Sequence, residues 1–262
     1  MLNENQIFLL TSFNKKKIKV IKIASDTPLV FWNKNILSND LLICNKYQFD
    51  EINFFKSSIH VDNVQFLGPE LSMNYNHLYN VNTKTISNTI GFYSTASWVR
   101  EREGHIDQGI DFLKFERKVL NCIKKYLLIN NNIKLFIFLH PKEKKKQYLE
   151  KSTNFYKDIF DVDISYEIVN STQSSSQLFH TVDLGVAFNS TILHERLYCG
   201  FKTLFYPNNP FFPIKNSFLS NICAKNDDHF ENLITKAIGS STSDFFKDNN
   251  LVSYSNRPLK NF

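Results

Sequence analysis

The sequence predicts an α/β fold, with a Rossmann-type parallel sheet in its C-terminal part and an abbreviated α/β portion before it. Three observations predict this. Strand-like and helix-like segments alternate from residue 89 to about residue 240, as a parallel sheet with right-handed crossovers requires. The strand-like runs are short and apolar along their length, LFIFL at 135–139 most clearly, which is the pattern of strands buried on both faces. Two of these runs stop at polar clusters, His140-Pro141-Lys142 and Asn189-Ser190-Thr191, at the strand ends where open α/β sheets bind ligands.

Taken in order, Ile18 to Ile23 alternates as a strand, Pro28 to Trp32 reads as a second and Leu41 to Cys44 as a third. Gln48 to Phe55 is helix-like, and Val64 to Leu67 is a strand closed by the breaker Gly68-Pro69. Residues 1–70 are too few for a complete doubly wound domain, so this portion is abbreviated or the chain is a fragment. Residues 71–88, rich in Asn and Thr and without periodicity, are the expected linker.

The unit over 89–240 starts with a strand, Thr89 to Tyr93. Ile110 to Ile129 follows as a helix, with Phe112, Phe115, Val119, Ile123 and Tyr126 on one face. Ile133 to Leu139 is the buried strand, and Lys144 to Phe160 is a charged helix with Tyr148, Phe155 and Ile159 inward. Ile164 to Ile168, Leu184 to Phe188 and Thr203 to Tyr206 are strands; Ser174 to Phe179 and Thr191 to Cys199 are helices. Asp228 to Ile238 is the last helix, facing inward through Phe230, Leu233, Ile234 and Ala237, and 241–262 is a tail.

Composition excludes several classes. At 262 residues with 42% hydrophobic content the chain can build a proper core. A net charge of +6, with lysine clusters at Lys15 to Lys17 and Lys142 to Lys146, suits an anionic ligand or an anionic membrane surface. Cys44, Cys122, Cys199 and Cys223 show neither CxxC nor metal spacing, so unpaired thiols in a reduced compartment are expected, and no structural zinc. No apolar run approaches the roughly 20 residues that cross a bilayer. The N-terminus, MLNENQIFLL, is too short and polar for a secretory signal, so a cytoplasmic protein, soluble or peripheral on a membrane, is expected. There is no Walker loop, no GxGxxG and no GxSxG elbow. Basic residues are not interleaved with aromatics as in nucleic-acid modules, so nucleic acid is not an expected partner. No metal or cofactor is expected.

His140 ends the buried strand, and Pro141 restricts the backbone there. A lone histidine at a strand end is more often structural than catalytic. A helix following Lys142, however, would offer free N–H groups and a positive dipole end to a phosphate. Beside a phosphate the imidazole would gain a proton, since negative charge favours its cationic form. Ser190 and Thr191 open the later helix; capping needs one hydroxyl, contributing about 1 kcal/mol, while a phosphate can use both together with the first-turn amides. Glu195, about one turn further in, can accept from ribose hydroxyls or pair with Arg196 or a lysine. The segment Phe92 to Asp107 holds Tyr93, Ser94, Thr95, Arg100, Arg102, Glu103, His105 and Asp107, either as a ligand-facing loop or as a solvated one.

FLHPKE followed by FNST resembles the His-Pro and Ser-Ser/Thr motifs of bacterial sialyltransferases, polysialyltransferases and related Kdo transferases, over about residues 89–206. The resemblance implies a GT-B-like fold and a metal-independent glycosyltransferase without a cofactor. Such an enzyme moves a sialic acid-like or Kdo sugar from a CMP-activated donor to an oligosaccharide or lipid-linked acceptor of the lipopolysaccharide or capsule, at the inner membrane surface. It further implies that His140 and Pro141 contact CMP and that Ser190 and Thr191 hold its phosphate; from their places at the two strand ends, Lys142 is expected to offset charge on the leaving phosphate and Asn189 to bind substrate beside Ser190. Glu195 would approach the nucleotide's sugar. Tyr93, Ser94, Thr95 and Arg100, in the loop read as facing a cleft, are expected to bind substrate. The acidic pair before a glycine in those enzymes is missing, and the corresponding loop reads Tyr93-Ser94-Thr95. Candidates for the general base are therefore Glu103, His105 and Asp107, with Asp26 and Asp40 in the N-terminal portion. A nucleotide-sugar 2-epimerase and a non-catalytic nucleotide-binding or partner subunit are the alternatives.

Overall fold

The computed structural model describes residues 21–24, 36–43, 59–66, 87–104, 111–160, 164–188, 190–206 and 218–251. Contacts divide the chain into two units, Met1–Tyr79 with Pro210–Ser217, and Asn80–Asn209 with Phe218–Phe262.

In the first unit β1 (Ile21–Ala24), β2 (Ile36–Ile43) and β3 (Ile59–Phe66) form a parallel sheet in that order. β2 begins well before the expected Leu41. Polar Ser38, Asn39 and Asp40 break its apolar run but not its ladder. Asp40 is buried, and its Oδ1 accepts from Asn63 Nδ2 of β3 at 3.1 Å, so a cross-strand bond satisfies a group that a hydropathy pattern assigns to a loop. β3 likewise starts at Ile59 rather than Val64. The strand expected at 28–32 and the helix expected at 48–55 lie outside the described residues, as does Asp26.

In the second unit β4 (Thr89–Tyr93), β5 (Lys134–Phe138), β6 (Tyr166–Val169), β7 (Leu184–Ala187) and β8 (Thr203–Phe205) are all parallel. Their spatial order is β6-β5-β4-β7-β8. Counted from β4 this is 3-2-1-4-5, the doubly wound order, and growth of the sheet reverses between β4 and β7. β4 and β7 are buried at every position, which is why they read as unbroken apolar runs rather than alternations.

The described helices are α1 (Ser97–Arg102), α2 (Phe112–Ile129), α3 (Lys146–Ile159), α4 (Thr191–Tyr198), α5 (Asp227–Gly239) and α6 (Thr242–Asp248). A 3₁₀ turn, Ser175–Thr181, carries a capping box between Ser174 and Gln177. α2 starts at an Asp111 cap that accepts from Lys114 N at 2.7 Å and buries Val119, Leu120, Ile123, Tyr126 and Leu127. Phe112 and Phe115 sit at its margin against Phe188. In α3 the buried positions are Ser152 and Tyr156, with Tyr148, Phe155 and Ile159 flanking them. Two helices depart from expectation. α1 forms inside the charged segment read as a loop, and α6 forms inside the expected tail, where it buries Phe245 and Phe246.

At the amino end of the sheet Lys202 is buried. Its Nζ donates to Asp183 Oδ2 at 2.9 Å and to the carbonyls of Ala237 and Ser240 at the end of α5, so one cation closes an ion pair and caps a helix. Cys122, Cys199 and Cys223 are buried thiols. No described helix is long and apolar enough to cross a membrane.

Candidate functional site

β5 and β7 flank β4, so the chain leaving β5 at Leu139-His140 and the chain leaving β7 at Phe188 emerge from the same carboxyl edge, on either side of Tyr93-Ser94. With neighbouring strands about 4.8 Å apart, the two exits stand roughly 10 Å from each other. His140 and Ser190 thus share the switch-point edge. Asn189 lies outside the described residues, and Thr191 is described as the first residue of α4 by its backbone alone.

His140 is half-buried. Lys142 N donates to its Nδ1 at 3.1 Å, so the neutral ring carries its proton on Nε2. Burial, and then the nearby charges of Arg100, Lys142 and Lys144, push its pKa down to about 4. The ligand-free imidazole is therefore neutral at neutral pH, a donor set among three cations, and gains a proton only when an anion joins it. The helix expected from Lys144, directly after Lys142, begins only at Lys146. Glu143 N and Lys144 N both donate to His140 O, at 2.9 and 3.3 Å, in a turn that postpones α3 to Lys146. Positive character at this strand end comes from side chains, not from helix amides. Pro141 is exposed behind it.

α4 differs. Ser190 is its N-cap residue, yet the hydroxyl makes no capping bond, whereas Asp111, Asn226 and Ser241 each cap their own helices. Its hydroxyl and the first-turn amides can face an external acceptor. Glu195 is largely buried, and that burial raises its pKa to about 7. It does not pair with Arg196. Arg196 is fully buried on the other side of α4, where Nη1 donates to Tyr93 Oη at 2.8 Å and to Phe179 O at 3.0 Å, and Nη2 to Lys202 O at 3.3 Å.

The loop residues divide into two groups. Tyr93, expected to bind substrate, instead has its ring buried, stacked on Phe138 at 4.7 Å, and its hydroxyl committed to Arg196. Ser94 is buried too, its Oγ accepting from Ala96 N at 2.9 Å. Both brace the end of β4 from inside. Arg100 is half-exposed, its Nε donating to Thr95 O at 2.9 Å. Among the candidate bases, Glu103 accepts from Lys142 Nζ at 2.6 Å and Tyr148 Oη at 3.2 Å, so its charge and that of Lys142 offset each other. His105 and Asp107 lie outside the described residues. Asp40 is buried in mid-strand, bonded to Asn63.

Two carboxyl groups at this edge were not anticipated from the sequence. Glu116 is fully buried in α2 and accepts from Thr95 N at 2.8 Å, Ser97 N at 3.1 Å and the Ser97 hydroxyl. These amides flank Ala96, a non-glycine residue in the left-handed region at φ 55°, a conformation that costs on the order of 1–2 kcal/mol. Glu116 holds it there and serves as the missing cap of α1. Glu143, also fully buried, accepts from Trp98 Nε1 at 2.9 Å and Tyr156 Oη at 3.0 Å on one oxygen and from His140 N at 2.9 Å on the other. A signal for Glu116 existed: it lies four residues after Phe112 and four before Leu120, inside the apolar stripe of its helix.

Burial, then the neighbouring charge of Glu143, raises the pKa of Glu116 to about 7 from an ordinary 4.5. Between these values the unfolded chain gives up a proton that the folded chain keeps. This group's contribution therefore falls as pH rises from about 4.5 to about 7, by on the order of 3 kcal/mol, and is flat above. Urea unfolding at pH 5 and pH 7 should find the stability difference between wild type and Glu116→Gln shifting against the wild type as pH rises, because this group alone differs between the two proteins; a difference that does not change with pH would contradict this assignment.

A cavity of about 670 Å³ lies elsewhere, against α5, α6 and the 3₁₀ turn Phe218–Ile222, lined in part by Lys225, His229, Lys236 and Asp248. Among the described residues, none of the expected site residues borders it.

No protein-family model matches the sequence, and no curated protein matches it. Among solved structures, a variant of the Thermobaculum terrenum O-GlcNAc transferase aligns at a TM-score of 0.45 and 10% identity, over 82% of this chain and 40% of that one. The pneumococcal O-GlcNAc transferase GtfA, solved with UDP and GlcNAc, aligns at 0.37 and 11%, over 82% and 39%. A Listeria monocytogenes protein named as a UDP-N-acetylglucosamine 2-epimerase aligns at 0.40 and 10%, over 94% and 69%. The chain thus spans about two-fifths of the length of each transferase. With every TM-score below 0.5, no ligand or chemistry is carried across from these proteins.

Proposed function

We propose that this chain is a glycosyltransferase that moves a sialic acid-like or Kdo sugar from a CMP-activated donor to a bacterial surface glycan, working at the inner membrane surface. One observation carries the proposal: the neutral donor His140, set among Arg100, Lys142 and Lys144, and the N-terminus of α4 share the carboxyl edge at the switch point of a doubly wound sheet. The CMP assignment and the choice of sugar rest on the resemblance of the His-Pro and Asn-Ser-Thr clusters.

In the reaction the acceptor oxygen bonds to the anomeric carbon while the bond from that carbon to the CMP phosphate breaks and its electron pair leaves on the phosphate oxygen. His140 Nε2–H donates to the phosphate as negative charge builds, and Ser190 with the first-turn amides of α4 holds the phosphate from the opposite exit, a preorganised electrostatic stabilisation. Glu195 accepts from the ribose hydroxyls. The acceptor proton goes to a base, for which Glu103, His105 and Asp107 are the proposed candidates, and Glu103 must first leave Lys142.

The test is incubation of the full chain with radiolabelled CMP-sialic acid or CMP-Kdo and an oligosaccharide acceptor. Label is expected in the glycan with release of CMP. Epimerisation of a UDP-sugar without acceptor, or nucleotide binding with no turnover, would overturn the transferase reading in favour of an epimerase or a non-catalytic subunit. Ser190→Ala should leave unfolding within about 0.5 kcal/mol, since the hydroxyl makes no cap, while weakening CMP binding by about tenfold or more through loss of a hydrogen bond to a charged group. A stability loss without a binding loss would instead make Ser190 structural.

A further inference from the structure

We propose that Glu143 is the positioning residue of the His140 site, its carboxylate tying the histidine backbone, α1 and α3 to one another so that the imidazole presents Nε2–H outward. The inference rests on the functional reading only for the identity of the ligand. One oxygen takes His140 N–H, and the other takes the Trp98 indole of α1 and the Tyr156 hydroxyl of α3. Ser152 Oγ approaches the Glu143 carbonyl at 3.3 Å. The loop following β5 is therefore pinned through its backbone to two helices. That pin also sets the tautomer: with His140 N held by Glu143, the turn places Lys142 N–H against Nδ1, which leaves Nε2 as the outward donor.

The other acid at this edge acts in parallel. Glu116 from α2 fixes the β4–α1 turn through Thr95 and Ser97, so α1 is anchored at its start by Glu116 and along its length by Glu143 through Trp98. No lysine or arginine hydrogen bonds to either carboxyl among the described residues. The charged or titratable groups facing them are each other, Tyr156 and His140, with Arg100, Lys142 and Lys144 around the imidazole. Burial raises the pKa of both acids, and for Glu116 the charge of Glu143 raises it further, so each carboxyl ionises less readily beside the anion site than an exposed one would. Trp98 also packs against Tyr148 and Phe155 of α3, so the indole joins apolar packing and the polar hold in one side chain.

The experiment is ¹⁵N-detected NMR of the His140 imidazole in the full ligand-free chain, for wild type and Glu143→Gln, with CMP titrations of both. In the wild type a single Nε2–H tautomer is expected, titrating well below the ordinary histidine range. In Glu143→Gln, with a dispersed spectrum retained, the tautomers should mix, the titration midpoint should rise by a pH unit or more, and CMP affinity should fall at least tenfold. Should Glu143→Gln not fold, Trp98→Phe, which removes one donor only, is expected to shift the same signals in the same direction by less. Unchanged imidazole signals in whichever folded variant is measured would overturn the proposal. If the imidazole responds as expected but the wild type binds no CMP, positioning stands and the nucleotide reading falls.

Discussion

His140→Ala is expected to lower sugar transfer from a CMP-activated donor by about 100-fold or more, the usual effect of removing one preorganised donor from a developing anion. The fold should survive. The imidazole accepts a single bond, from Lys142 N at 3.1 Å, on a half-exposed loop whose backbone is held independently through His140 N and O. Loss of that bond costs about 1 kcal/mol. Arg100 and Lys144 remain in the variant, so nucleotide binding should weaken less than turnover does. A radiolabelled transfer assay beside a urea titration checks both halves, and full activity in the variant would remove His140 from the chemistry.

Gly185→Ala is expected to be the most damaging small substitution in the second unit. A Cβ on Gly185 of β7 would stand 2.2 Å from Arg196 Nε and 2.7 Å from its Cδ. Arg196 cannot step aside, because its guanidinium is bonded to Tyr93, Phe179 and Lys202 and sits over the rings of Tyr93, Phe179 and Phe201. Accommodating the methyl withdraws a buried cation from its partners, a change that costs about 3–5 kcal/mol. The Tyr93 hydroxyl loses its donor at the end of β4, so the carboxyl edge loosens with the core. Gly239→Ala is the control: nothing lies within 4 Å of its Cβ, at the end of α5, and stability should hardly change. Urea midpoints of the two variants that match each other would contradict this reading of Gly185.

Most of residues 89–240 was legible because β4, β5, β7 and β8 are short, largely apolar runs and α2 and α5 each show one periodic face. Ile133 to Leu139 and Leu184 to Phe188 could be placed nearly to the residue, and with them the strand ends at His140 and Ser190. β2 was only half-legible, since Asp40 is buried against a partner on another strand, and a linear pattern cannot show Asn63 arriving beside it. α1 was hidden for a related reason: its cap is Glu116, 19 residues from Ser97 in the chain, where sequence reading seeks a local cap. The inward course of Tyr93 and Arg196 was not legible because a long polar side chain beside a strand end can turn outward or inward, and here the glycine at 185 opens the way in. Glu143 was in view within FLHPKE, but its role depends on Trp98 and Tyr156, two helices away.

The most direct test of the account is a calorimetric double-mutant cycle for CMP binding, using wild type, His140→Ala, Ser190→Ala and the double variant. If the imidazole and the α4 terminus hold one phosphate, each single change weakens binding and the pair loses clearly less than the sum, since groups acting on one ligand atom cluster are coupled. Strictly additive losses, or CMP binding indifferent to both changes, would contradict a shared phosphate at the switch-point edge.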